Sequence, residues 1–317
     1  MKERLWSSLG ILQKGGAYIA LFLLVGVGAM ISPAFYKPRN IFNMLEQGSS
    51  LGVVSIGQTF VILGGGIDLS VASVMACTNI IIASLTEGRD EIVLPVIFLC
   101  LFFGSLIGLI NGVFIVKRRV PAFIMTLGMM IILQGARFVY TKGAPYGYIP
   151  SIVRFSGVGR IGPLLPCSLI IFVIIAVLSY VILTKITFGR RLYCSGANEK
   201  AAYVTGVNTD LIKIITYVVS GFLAVVGGII LSGYLGTADN WAGKGYELDS
   251  IAAVVVGGTT FEGGVGGVIG TIAGVLLITI MSNLLLLLGL KIETQLIGKS
   301  IIIIAAVALY MRSHAKL

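Results

Sequence analysis

Uncharged apolar stretches of about 17 to 25 residues follow one another along most of the 317 residues, each long enough to carry a helix across a hydrocarbon core of roughly 30 Å. Lipid offers no partner to backbone N–H and C=O groups, so such segments satisfy them internally, as helices or in a closed barrel. The stretches lack the alternation that barrel strands need, which leaves helices. Composition agrees: 57% of residues are apolar and 11% charged, with a mean hydropathy of +1.02, whereas a soluble domain carries roughly a quarter charged residues. The expected fold is an all-α membrane protein with about ten transmembrane helices, some broken or short, in a single transmembrane domain over residues 1–317.

Runs bounded by charges and turn residues predict spans at about 16–35, 42–64, 69–86, 92–116, 121–140, 167–184, 212–235, 249–262, 267–289 and 295–311. An even number puts both termini on one side. The clusters Lys2/Arg4/Lys14, Lys117/Arg118/Arg119, Lys185/Arg190/Arg191/Lys200 and Arg312/Lys316 then share a face, which the positive-inside rule makes cytoplasmic. The opposite face holds Glu87, Asp90 and Glu91, a loop over about 141–166 and a stretch over about 236–249. Sorting of this kind accounts for the net charge of +10 without a nucleic-acid partner. The third and eighth spans are short, and half-helices or re-entrant segments are the alternative to full crossings there. The basic start runs into a full-length span with no small-residue cleavage site, which predicts an anchor rather than a cleaved signal. Cys77, Cys100, Cys167 and Cys194 have no paired spacing and read as packing residues. Gly104/Gly108/Gly112 and Gly266/Gly270/Gly274 repeat at every fourth position, predicting helices in close backbone approach.

Two segments interrupt the apolar pattern with glycines and a carboxylate: Gly64-Gly65-Gly66-Ile67-Asp68-Leu69-Ser70, and Gly257-Gly258-Thr259-Thr260-Phe261-Glu262-Gly263-Gly264. They fall at similar places in the two halves, a weak sign of duplication. Irregular backbone at membrane depth needs protein or a water-filled cavity around it, so Gly66, Asp68, Ser70, Gly257, Gly258 and Thr259 are candidates for a translocation path or its gate. The competing reading makes Asp68 and Ser70 the cap of a helix and Glu262 a turn residue.

The predicted cytoplasmic loop over about 185–210 carries a short helix between turns. Asn198 caps it, Ala201 and Ala202 give it a small face, and Gly206 ends it. Such a helix either seats in a groove on a partner subunit or lies on lipid headgroups. Ionisable residues within the runs are few, Glu46 and Arg137 near span ends among them, which argues against a proton or sodium coupling site and for energy from outside the chain. The sequence has one histidine, His314, and no metal-ligand spacing or phosphate-cradling Walker motif. The expectation is no catalytic residue, no metal and no cofactor bound by this chain.

Five segments resemble the membrane permease subunit of a carbohydrate-importing ABC transporter, in the ribose/xylose/galactoside branch. They are Gly57-Gln58-Thr59-Phe60-Val61-Ile62-Leu63 running into Gly66-Ile67-Asp68-Leu69-Ser70; Val120-Pro121-Ala122-Phe123-Ile124 with Thr126-Leu127-Gly128-Met129-Met130; Gly196-Ala197-Asn198 to Gly206-Val207; Gly245-Tyr246-Glu247-Leu248-Asp249-Ser250-Ile251-Ala252-Ala253-Val254 with Gly257-Gly258-Thr259; and Gly270-Thr271 to Gly274-Val275. They occur in the family's order across nearly the whole chain. Ala72, Thr260 and Phe261 depart from the usual family residues.

The resemblance implies a multi-pass protein of the bacterial cytoplasmic (inner) membrane, paired with a second permease copy or a paralogue. It also implies a cytoplasmic ABC ATPase subunit that uses ATP and Mg, and an extracytoplasmic sugar-binding protein docking on the 141–166 and 236–249 loops. Gly196, Ala197, Asn198, Glu199, Ala201, Ala202 and Gly206 are then the ATPase coupling segment, and a monosaccharide or small polyol is the cargo. An ion-coupled secondary transporter of small polar solutes is the alternative from the residues alone. An intramembrane enzyme would need a reactive pair at membrane depth, and none is evident.

Overall fold

A computed structural model describes residues 21–301 except 27, 31, 163, 164, 292, 293, 295, 296 and 299. The start of the predicted N-terminal anchor, most of the last span, and the clusters Lys2/Arg4/Lys14 and Arg312/Lys316 lie outside the described residues.

The helix at the centre is the least uniformly apolar of the long ones. α1 (Pro38–Leu63) starts with proline in its first turn, where the missing N–H costs nothing, and buries Ser49, Ser50, Ser55, Gln58 and Thr59 along with its apolar residues. After it come α2 (Val71–Thr86), α3 (Val93–Lys117), α4 (Ala122–Thr141), the short α5 (Ser151–Val158) and a small antiparallel hairpin, β1 (Arg160–Ile161) with β2 (Leu165–Pro166). The chain continues as α6 (Cys167–Lys185), α7 (Thr187–Ala197), α8 (Glu199–Val204), α9 (Thr209–Leu235), α10 (Tyr246–Val256) and α11 (Val268–Leu287). Among the described residues, α3, α4, α6, α9 and α11 are long and apolar enough to cross a membrane. Their outer faces, such as Leu94, Phe98 and Phe102 on α3 or Val173, Ile174 and Val177 on α6, are exposed, as a lipid-facing surface requires.

Helices embedded in hydrocarbon gain little from hydrophobicity alone and associate through dispersion and close fit. The α3–α9 pair does so with almost nothing between the backbones. A Cβ on Gly108 would stand 2.1 Å from the Tyr217 carbonyl oxygen, and one on Gly221 2.1 Å from that of Gly104. The Gly104/Gly108/Gly112 stripe is thus a packing surface for α9. Its counterpart needs a correction. Gly270 and Gly274 do press on α10, at Gly257 and Ala253, but Gly266 lies before α11 begins and packs on Thr259 in the preceding turn.

Contacts fix the direction of each long helix. α9 lies antiparallel to α3 (Gly104 on Gly221, Gly112 on Ile214) and to α1 (Ser50 Oγ donates to the Gly227 carbonyl, 2.9 Å). α2 lies parallel to α9 and α4, through Asn79–Ser232 at 3.1 Å and Ser73–Met130 at 2.8 Å. α11 lies antiparallel to α1, held by a reciprocal Asn40–Asn283 amide pair at one end and a 2.7 Å Thr59–Thr271 hydroxyl contact towards the other. The molecule therefore has two end faces. One gathers Lys117, which pairs with Asp210 at 2.7 Å, together with α7, α8 and both glycine-rich breaks. The other gathers the Asp90 turn, α5, the hairpin and the 236–245 segment, joined by a Tyr148–Thr237 bridge and by Asp90 accepting from the Ser151 hydroxyl and the Ile152 N–H.

Three sequence expectations change in detail. The 249–262 span is an 11-residue helix, α10, about 16 Å long at the rise of an α-helix and too short to cross. Apolar character runs on to Phe261, but Gly257-Gly258 stops the helix. The 16-residue α2 is about 24 Å long and almost wholly buried. The 141–166 loop is not structureless but contains α5 and the hairpin.

Candidate functional site

Both breaks terminate their helices in the same way. After α1, the Gly66 N–H donates to the Val61 carbonyl and the Gly65 N–H to that of Ile62; after α10, Thr259 donates to Val254 and Gly258 to Val255. This paired closure needs a left-handed residue at the turn, supplied by Gly65 (φ 76°) and Gly258 (φ 93°). Gly257 is held by proximity instead, since a Cβ there would meet the Gly270 carbonyl oxygen at 2.3 Å.

Beyond the first closure, Asp68 is 1% exposed and its carboxylate accepts three hydrogen bonds. It accepts from the Ser70 N–H (3.0 Å), the Ser70 hydroxyl (2.6 Å) and the Ser220 hydroxyl of α9 (2.8 Å). The first of these is the local turn that aspartate forms with the backbone two residues on. Asn111 of α3 donates to the Ser70 hydroxyl at 3.0 Å. Gln58 of α1, oriented so that both ends of its amide are satisfied, donates to the Asp68 carbonyl and accepts from the Asp68 N–H, each at 3.2 Å. Gly66 leaves room for Tyr217, whose hydroxyl would stand 2.4 Å from a Cβ there. Asp68 and Ser70 thus form a buried clasp binding α1, α3 and α9 to the start of α2. That geometry differs from the capping reading: Ser70 is the N-cap of α2, but neither its side chain nor Asp68 accepts from an N–H of the first helical turn, and no ion pair reaches Asp68 among the described residues. Gln58, Asn111, Tyr217 and Ser220 carry no signal as single residues in apolar runs, and the sequence reading missed them.

In the second break Thr259 is fully buried, accepts from the Gly267 N–H at 3.3 Å and lies beneath Gly266. Glu262 is exposed in the turn, as its turn reading expected.

The structure joins these two breaks to the 185–210 segment, three regions far apart in sequence. The Gly264 N–H donates to the Leu63 carbonyl at 2.9 Å, tying the second break to the end of α1. Gly196 sits on that junction: a Cβ would stand 1.9 Å from Leu63 O and 2.5 Å from Gly264 N. Ala197 lies against Gly264, and the Tyr193 hydroxyl donates to the Gly266 carbonyl at 2.9 Å.

The segment itself is two helices, α7 and α8, hinged at Asn198. Asn198 Oδ1 accepts from the Ala201 N–H at 3.0 Å, and Gly206 (φ 85°) closes α8, as the sequence predicts. Glu199 pairs with Lys213 of α9 at 2.6 Å, so its carboxylate anchors α8 to the body. The two alanines do not share an outward face: Ala201 is exposed and Ala202 is 5% exposed. The side turned outward carries Ala201, Tyr203 and Val204, the last two 71% and 84% exposed. A tyrosine and a valine so exposed on a polar loop are what the alanine pattern had obscured.

Comparison with known proteins gives the family. The family profile described as "Branched-chain amino acid transport system / permease component" matches residues 40–307. The chain is 40% identical to the ribose import permease protein RbsC of Bacillus subtilis over 309 residues, covering 96% of this chain and 95% of that one. It is 42% identical to the Haemophilus influenzae protein of the same name, covering 92% and 91%, and 34% identical to the galactose/methyl galactoside import permease protein MglC of Escherichia coli, covering 98% and 97%. No solved structure matches. With the profile spanning most of its length and such relatives aligned nearly end to end, the chain belongs to the branched-chain amino acid transport system / permease component family.

Proposed function

We propose that this chain is the membrane permease subunit of an ATP-binding-cassette importer, carrying a monosaccharide or related small polyol delivered by an extracytoplasmic binding protein. The observation that carries the reading is near full-length likeness to import permeases named for ribose and for galactosides. The Asp68 clasp supports it as well: its carboxylate already accepts three hydrogen bonds from neighbouring serines and is paired with no basic residue among the described ones, unlike the paired acids and bases of an ion-coupling site.

In this reading about ten helices cross the bacterial inner membrane, the termini and the α7–α8 segment are cytoplasmic, and two permease subunits enclose the path. ATP and Mg are used by the partner ATPase. The exposed edge formed by Asn198, Ala201, Tyr203 and Val204 seats against that ATPase, Gly206 closes α8, and Gly196, Ala197, Glu199 and Ala202 hold the segment to the body. Gly66, Asp68, Ser70, Gly257, Gly258 and Thr259 shape the two breaks that form the inner gate. The Asp90–α5 face and the 236–249 segment receive the binding protein.

The test is ribose uptake into proteoliposomes containing this chain, its ATPase and its binding protein. Val204→Glu and Ala201→Trp alter the outward side of α8 without entering the core, whereas Ala202 is buried and unsuited to the purpose. Loss of both uptake and ATPase co-purification, with membrane levels unchanged, supports the coupling role. Uptake that persists without ATP and follows an ion gradient refutes the importer reading.

A further inference from the structure

The junction described above transmits force unevenly. At Gly196, backbone rests on backbone, and a van der Waals contact resists compression but carries no tension. If α7 is pushed toward the body, Leu63 and Gly264 must follow. If it is drawn away, that contact simply opens. One helical turn earlier on the same face, the Tyr193 hydroxyl holds the Gly266 carbonyl at 2.9 Å. This bond is directional and reaches the short linker before α11. Beside it lies a crevice lined by Tyr180, Thr184, Tyr193, Gly267 and Gly270, which gives the linker room to move without displacing a packed side chain.

We propose that Tyr193 is a positioning residue for transport: its hydrogen bond to Gly266 makes the second break follow α7 when the ATPase draws the α7–α8 segment outward, whereas Gly196 acts only on the inward stroke. The first break is included, because the Gly264 N–H ties the same linker to Leu63. The inference rests on the importer reading and adds the residue through which the outward stroke is conveyed.

The test uses the reconstituted transporter, with permease, ATPase and binding protein present. Tyr193→Phe keeps the ring and removes only the hydroxyl; Tyr180→Phe, in the same crevice, is the control. The expected result for Tyr193→Phe is native assembly and native ATP hydrolysis with about five-fold less sugar moved per ATP, the equivalent of one neutral hydrogen bond of about 1 kcal/mol. A purely structural role would lower assembly and hydrolysis together and leave that ratio unchanged. The second readout needs no transport. Spin labels at Arg191→Cys on α7 and Val265→Cys, both exposed positions, are placed in a background with the native cysteines replaced by alanine. Their separation should hold constant between nucleotide-free and ATP-trapped complexes with Tyr193 present, and change between them in Tyr193→Phe. A native ratio of sugar to ATP in Tyr193→Phe, or a label separation insensitive to the substitution, overturns the role of Tyr193 and leaves the importer reading standing. Absence of ATP-driven uptake in the unsubstituted complex overturns both.

Discussion

Removing the Asp68 carboxylate tests whether the first break is held by a clasp or by a charge with some other task. Three donors converge on it, one a backbone N–H that cannot turn elsewhere and two serine hydroxyls that can. A hydrogen bond to a charged acceptor contributes about 1.5–3 kcal/mol, and stripping one partner from a buried ionic cluster costs about 3–5 kcal/mol. Asp68→Ala should therefore destabilise by about 3–5 kcal/mol. Asparagine keeps one oxygen for Ser70 and offers its amide to the Ser220 hydroxyl, which can accept, so Asp68→Asn should cost only about 1–2 kcal/mol. At about 2–4 °C per kcal/mol, Tm falls by about 6–20 °C for alanine and about 2–8 °C for asparagine. Cys77 and Cys100 are buried, so a thiol-reactive fluorescent dye reports unfolding in detergent, with variants compared at one heating rate. If alanine leaves Tm within about 2 °C of native, the clasp does not hold the break. If asparagine is as damaging as alanine, the charge itself is required and the hydrogen-bond account is wrong.

Three further outcomes are expected. Gly108→Val drives a branched side chain into the Tyr217 backbone and should cut the yield of folded protein sharply, while Gly128→Val on α4, where a Cβ meets no atom, should not; size-exclusion profiles of detergent extracts distinguish them. Thr59→Val and Thr271→Val should couple by about 1 kcal/mol in a double-mutant cycle on thermal unfolding, because each removes the other's buried partner, and strictly additive losses would contradict the contact. Asp90 has its pKa lowered by the Ser151 hydroxyl and by the Ile152 N–H. Its hold on the start of α5 is thus present at neutral pH and lost as pH falls through the lowered value; a protection factor of the Ile152 amide, taken against its intrinsic exchange rate, that drops in acid in the native protein and is independent of pH in Asp90→Asn is the measurement.

How far the sequence discloses this structure depends on what each helix faces. α3 and α6 present apolar side chains to lipid, so hydropathy alone sets their bounds closely. α1 is surrounded by protein, and the serines, Gln58 and Thr59 it buries dilute the signal even though it is the central helix. The end of α10 was legible in principle, since Gly257-Gly258 is a helix stop, but apolar residues beyond it favoured a longer span. Asn198 and Gly206 were readable as cap and terminator because capping is local. The junction of Leu63, Gly196 and Gly264 was not, because glycine advertises a close approach without naming the partner.

The bare contact between α3 and α9 also bears on what the protein can do mechanically. Most helix pairs are separated by a layer of side chains that can change rotamer, and that layer absorbs small displacements. Here Gly104 and Gly108 on one side and Gly221 and the Tyr217 backbone on the other leave no such layer. The two helices therefore shift together or not at all, and the Ser220 hydroxyl on Asp68 rides on one of them. The first glycine-rich break is fastened to both members of this stiff pair, through Ser220 of α9 and Asn111 of α3, and so must travel with it.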